Sequence, residues 1–146
     1  MRAETLDTAA TIGRMAITFS VDGEPVPQPR AKITTRGKFA HAYVEARHPI
    51  HAYRKALQLA AVDAGLRACT GTVEVVIDAV FVRPRSHLNK KGLKPKAPPA
   101  PLPDVDNVAK AVLDAIGPII GNDKQVKRLV IEKRYGTEAR TTVRVT

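Results

Sequence analysis

Apolar and polar residues alternate along "MAITFSV", Met15 to Val21, with the two-residue period of a half-buried strand, and the run ends at the turn pair Asp22-Gly23. The same period returns in "TVEVVIDAVFV", Thr72 to Val82, where Val73, Val75, Ile77, Ala79 and Phe81 share one face and Glu74, Val76, Asp78, Val80 and Val82 the other. A strand apolar on one face and half apolar on the second belongs near the centre of a sheet. Two more strands are predicted in "VKRLVIEKRY", Val126 to Tyr135, and "RTTVRVT", Arg140 to Thr146, parted by "GTEA". The helical period occurs twice. In "PIHAYRKALQLAAVDA", Pro49 to Ala64, the residues Ile50, Tyr53, Leu57, Ala60 and Ala61 fall on one side and Gly65 is a stop signal. His48 and His51, at its start, read as cap or surface histidines. A second helix runs from Asp104 to Ile116, with Val108, Val112, Leu113, Ala115 and Ile116 on its apolar side and Gly117-Pro118 as its stop.

These elements predict one α+β domain over 15–146, a small mixed β-sheet packed by two main helices, behind a flexible tail at 1–14. Two segments have no period. In "EPVPQPRAKITTRGKFAHAY" prolines at 25, 27 and 29 force extended backbone, and the cations Arg30, Lys32, Arg36 and Lys38 follow. This predicts a basic arm or hairpin with Arg36-Gly37 as its tip, and Phe39 and Tyr43 beside the cations suit contact with sugar, base or a second subunit. Residues 83–103 carry the cations Arg83, Arg85, Lys90, Lys91, Lys94 and Lys96, no acid, and prolines at 84, 95, 98, 99, 101 and 103. The expectation is a structureless loop, and loops of that length in compact domains are most often functional or disordered.

Composition narrows the partner. The 146 residues, 44% of them hydrophobic, suit one domain with a real core. The 24 Lys and Arg against 14 Asp and Glu give +10, which points to a polyanion: nucleic acid first, an acidic protein or membrane surface after it. No apolar run reaches the length of a membrane span and "MRAETLDTAATIGR" lacks the apolar stretch of a secretory signal, so the expected compartment is the cytoplasm. Cys69 is the single cysteine, which excludes an internal disulfide and a Cys/His zinc spacing.

Charge says nothing about chemistry; "PLPDVDNVAKAVLDAIG" does. Asp106, Lys110 and Asp114 stand at i, i+4 and i+8 on one helical face, and alone they read as a surface ion pair worth about 0.3–0.5 kcal/mol. Asp104 beside Asp106 places two carboxylates at a helix start, where they are either caps or ligands for a hard cation such as Mg²⁺ or Mn²⁺. Asp123, in the turn "GNDKQV", is a third candidate. Spacing leaves both readings open.

The combination of "PDVDNVAKAVLDAI", "GNDKQV" and "VIEKRYG", preceded by "VDGEPVPQPRAK", resembles the RusA family of Holliday junction resolvases over roughly residues 15 to 136. The resemblance implies that Asp104, Asp106 and Asp123 bind the metal, Mg²⁺ or Mn²⁺ in its place, and that Lys110 is the catalytic lysine. Asn107 and Asp114 match positions read as structural support. The family's acid pair in the turn is Asn122-Asp123 here, and Asp123 is the expected ligand. The resemblance further implies a homodimer whose two sites nick opposed strands of a four-way DNA junction, with the arm (Arg30, Lys32, Arg36, Lys38) and the loop (Arg83, Arg85, Lys90, Lys91, Lys94, Lys96) on phosphates. Two other readings stand beside it: a catalytically silent basic DNA-binding module, and a basic structural protein of a larger assembly.

Overall fold

In chain order the computed structural model, which describes residues 16–35, 37 and 39–146, forms β1 (Ile17–Asp22), β2 (Lys32–Thr34), β3 (His41–Tyr43), α1 (Pro49–Asp63), β4 (Val73–Val82), β5 (Leu88–Asn89), β6 (Gly92–Leu93), α2 (Val105–Ile120), β7 (Val126–Gly136) and β8 (Arg140–Val145). The expected tail at 1–14, together with Met15, Arg36 and Lys38, lies outside the described residues. The main sheet has the order β1-β8-β4-β7. β8 is antiparallel to both β1 and β4, whereas β7 is parallel to β4. The sheet is therefore mixed, with β4 inside it, and the fold is the α+β domain that periodicity predicts. A parallel pair needs a crossover, and here the crossover is the 83–103 segment followed by α2.

Both helices cover one face. Phe19 lies opposite Val143, and Val143 opposite Ile77, so these side chains share a face; they pack with Ile50 and Leu57 of α1 and with Val112, Ile116 and Ile120 of α2. The His48 Nδ1 accepts from the Ile50 N–H at 3.0 Å and caps α1, which fits the reading of His48 as a cap. Between α1 and β8 the Tyr53 hydroxyl meets the fully buried Thr141 hydroxyl at 2.5 Å. Burial pushes the Tyr53 phenol up to about 12, and the Thr141 hydrogen bond opposes that rise in part.

Two sequence expectations are corrected. α2 does not stop at Gly117-Pro118 but continues to Ile120. Pro118 lacks the N–H that would bond the Asp114 carbonyl, yet Ile116 and Ile120 are fully buried. Burying each is worth about 1.5–3 kcal/mol, enough to carry the helix one turn past the proline. Gly121, at φ +130°, then ends it. The 83–103 segment is not structureless either. A 3₁₀ turn at Arg85–His87 leads into the β5–β6 hairpin, in which Leu88 faces Leu93. The prolines are held by side chains: Arg83 Nη1 donates to the Pro98 carbonyl at 2.7 Å, and Lys133 Nζ to the carbonyls of Pro101 and Pro103 at 2.6 and 2.7 Å. The Arg83 guanidinium lies 4.0 Å from the Tyr135 ring centroid. Cations on a neighbouring strand take the place of a period that the sequence lacks.

Candidate active site

The start of α2 is built from three directions. Asp104 is its N-cap, with φ −63° and ψ 136°, and its carbonyl accepts from the N–H groups of Asn107 and Val108, both at 3.1 Å. Its carboxylate makes no cap bond to the helix. One turn of backbone is thus satisfied without the side chain, and the reading of Asp104 as an ordinary capping acid is overturned. The Asp106 Oδ1 accepts from the Asn107 N–H at 3.0 Å, and both aspartates are exposed. The Asn107 carbonyl accepts from the Gln28 N–H at 2.9 Å, which ties the root of the basic arm to the helix start. Gln28 in turn accepts from Arg54 Nη2 of α1 at 3.2 Å, while the buried Arg54 Nε has no partner among the described residues. Lys110 and Asp114 approach at 3.5 Å, an i,i+4 pair with Lys110 largely exposed and Asp114 half-buried.

Asp123 stands at the other end of the helix. It opens the 3₁₀ turn Asp123–Gln125, whose cap is Asn122: the Asn122 Oδ1 accepts from the Lys124 N–H and the Gln125 Oε1 from the Asn122 N–H, both at 2.8 Å. The amide of Gln125 also donates to the carbonyls of Cys69 and Gly71 at 2.8 and 3.0 Å, locking the turn to the loop before β4. The turn packs against Gly117, where a Cβ would stand in contact, 3.4 Å from the Asp123 Cβ and backbone nitrogen. With Arg54, Leu113, Asp114 and Pro118, Asp123 lines a cleft of about 480 Å³.

One chain therefore does not gather the three sequence-predicted ligands. Asp106 and Gly117 are eleven residues apart on α2, a separation of about 16 Å at 1.5 Å per residue, and Asp123 lies beside Gly117. Among the described residues no group of three or more His, Cys, Asp or Glu could hold a metal ion. What the helix brings together is Asp104 with Asp106 at one end, and Asp114 with Asp123 and Arg54 at the other.

The basic residues divide in the same way. Arg30, Arg85, Lys90, Lys91, Lys94 and Lys96 are exposed, while Arg83 is half-buried against Tyr135 and Pro98. Lys32 pairs with Glu45 across the arm, and that side-chain hydrogen bond raises the Lys32 amine and lowers the Glu45 carboxyl. Lys32 opposite Tyr43 and Thr34 opposite His41 make the arm a hairpin, as expected, with Ile33 and Phe39 strongly exposed. Sequence reading missed Gln28, Arg54, Gly117 and Gln125. For Gln125 a signal existed: Asn122-x-x-Gln125 has capping-box spacing. Arg54 carried none, because a cation on the rim of an amphipathic helix looks like any other.

Comparison with known proteins adds an independent line. The sequence model described as Endodeoxyribonuclease RusA matches residues 22–146. A protein of Bacillus subtilis (strain 168) bearing the name "Uncharacterized protein YqaN" is 34% identical over 138 residues, which cover 88% of this chain and 94% of that protein. Among the described residues no helix is long and apolar enough to cross a membrane.

Proposed function

The chain belongs to the RusA endodeoxyribonuclease family, and we propose that within it this protein is a Mg²⁺-dependent enzyme that resolves four-way DNA junctions, as a homodimer, by paired nicks in opposed strands during recombination and repair. The observation that carries the reading is the Asp104 carboxylate, which occupies the N-cap of α2 without capping it, two residues from the equally exposed Asp106. The helix dipole favours negative charge there by about 0.3–1 kcal/mol, which does not by itself account for two adjacent acids. An oxygen-only pair with open solvent around it fits Mg²⁺, or Mn²⁺ in its stead, since such ions take few protein carboxylates and keep several waters. When bound, the metal would lower the pKa of a coordinated water and polarise a phosphoryl oxygen.

Asp123, the third ligand, reaches this pair from a second copy, because its own helix holds it at the far end. Junction resolution needs two sites related by a twofold axis in any case. Lys110 lies one turn along from Asp106 and offers its ammonium to a phosphoryl oxygen as charge develops there; Asp114, at 3.5 Å, positions it. The exposed cations of the arm and of the 85–96 segment contact junction phosphates, and the bond from Gln28 to Asn107 aims the arm's root at the helix start.

The deciding experiment is incubation of purified protein with a synthetic four-way junction in Mg²⁺ and in EDTA. Symmetric nicks in Mg²⁺ and none in EDTA are expected. Cutting that persists in EDTA would overturn the metal-dependent reading, and tight salt-sensitive binding without cutting in Mg²⁺ would leave the silent DNA-binding module. Asn122→Asp addresses the missing acid. Asn and Asp serve equally as caps, so the turn and its Asp123 should stay in place, and nicking is expected within about threefold of wild type, less than 1 kcal/mol. A gain of a hundredfold would instead mean that position 122 is itself a ligand.

A further inference from the structure

Among the described residues β7 is an edge strand of eleven residues, Val126–Gly136, hydrogen-bonded only to β4. Apart from the Val126 N–H, which donates to the Asp123 carbonyl, no turn, loop or cap backbone bond reaches these residues among the described part of the chain. Long free edges recruit another strand, and natural sheets usually blunt them with charged side chains, prolines, bulges or a covering segment; β7 carries charges at both ends and an apolar stretch, Leu129 to Ile131, between them. β7 has no proline, its one register irregularity against β4 is confined to its start at Lys127, and Leu129 and Val130 at its middle are 39% and 40% exposed. The other edge, β1, has six residues, with exposed Thr18 and Ser20 beside the buried Phe19.

We infer that β7 pairs antiparallel with β7 of a second copy about a twofold axis at Val130, continuing the sheet through both subunits. The register follows from charge. Centred on Val130, Val130 faces its own counterpart, Leu129 faces Ile131, and Arg128 faces Glu132 twice over. A centre at Arg128 or Glu132 sets like charges directly opposite, a centre at Ile131 opposes Arg128 to Arg134, and a centre at Leu129 leaves Glu132 facing Val126. The Val130 register does oppose Lys127 to Lys133, but the Lys133 ammonium is already drawn to the carbonyls of Pro101 and Pro103.

This surface rests on the two-copy reading of the site and gives it a location. Val108 near the start of α2 packs with Phe81 and Tyr135 at the C-terminal ends of β4 and β7, and the Ile120 carbonyl at the helix end accepts from the Cys69 N–H before β4 begins. α2 thus runs opposite to β7, with Asp104 and Asp106 over the strand's end and Asp123 before its start. Antiparallel pairing about Val130 sets the partner's Asp123 level with Thr137, at the end of the sheet over which α2 begins. A pairing of β1 edges does not do this.

The test uses the full chain in a Cys69→Ser background with a short bis-maleimide. Val130→Cys should crosslink into a covalent dimer, and Thr18→Cys on β1 should not. Arg128→Cys and Glu132→Cys should each fail alone, because each residue stands about 13 Å along the strand from its own counterpart, and should crosslink when combined. Arg128→Glu, an exposed change that spares the fold, should raise the dimer dissociation constant roughly tenfold or more, and adding Glu132→Arg should restore it. A chain that elutes as a dimer but shows no Val130→Cys crosslink overturns the β7 surface and leaves the two-copy site standing. A chain that is monomeric under conditions where it nicks junctions overturns both.

Discussion

Replacing Asp106 with asparagine is expected to lower junction nicking by about 10³-fold, the ~4 kcal/mol scale of a lost metal ligand, while junction binding is retained or tightened. The substitution is structurally mild. The asparagine oxygen can keep the 3.0 Å bond from the Asn107 N–H, so the helix start survives apart from about 0.3–1 kcal/mol of lost dipole interaction. What disappears is the negative charge by which the position would hold a metal ion. Removing that charge from a chain of net charge +10 reduces repulsion of phosphate, hence the tighter binding. Nicking and filter-binding assays on one preparation separate the two effects. Asp114→Asn is the contrasting control, since it breaks only the partly exposed 3.5 Å pair with Lys110, worth under about 1 kcal/mol. If Asp106→Asn cut at more than a tenth of the wild-type rate, Asp106 would not be a ligand.

The elements with a strong period were legible in the sequence. β4 appears as predicted, with the odd-numbered residues from Val73 to Phe81 buried, and α1 differs by a residue at its end. Illegibility begins where tertiary contacts override local signals. Gly117-Pro118 is a sound local stop, and only the burial of Ile116 and Ile120 against the sheet shows why the helix runs through it. The 83–103 segment has no period because its order comes from outside, through Lys133 and through Arg83 stacked on Tyr135. Of the candidate site, the residue types and their order were readable, as was the helical face shared by Lys110 and Asp114. The placement of Asp123 was not. It depends on the extra turn that α2 gains beyond Gly117 and on the hold of Gln125 on the Cys69 and Gly71 carbonyls, a contact more than fifty residues away in the chain.

That placement leads to the prediction with the sharpest outcome, in which two inactive chains restore each other. A dimer whose metal is held by Asp104 and Asp106 of one copy and Asp123 of the other contains two mixed sites. Asp106→Asn alone damages both, and so does Asp123→Asn. When the two variants are unfolded, mixed and refolded together, each heterodimer has one site with both substitutions and one with neither. Random assortment makes half of the dimers heterodimeric with one working site in two, so recovery to about a quarter of wild-type nicking is expected from variants that are each silent. The product should differ too. One intact site nicks one strand, and the junction should accumulate as a singly nicked species instead of parting into two duplexes, which denaturing and native gels distinguish. If all three carboxylates belonged to one chain, every site in the mixture would carry one substitution and no activity would return. Recovery would therefore assign Asp123 to the partner's site, and silence in a mixture proved heterodimeric by mass would assign it to its own.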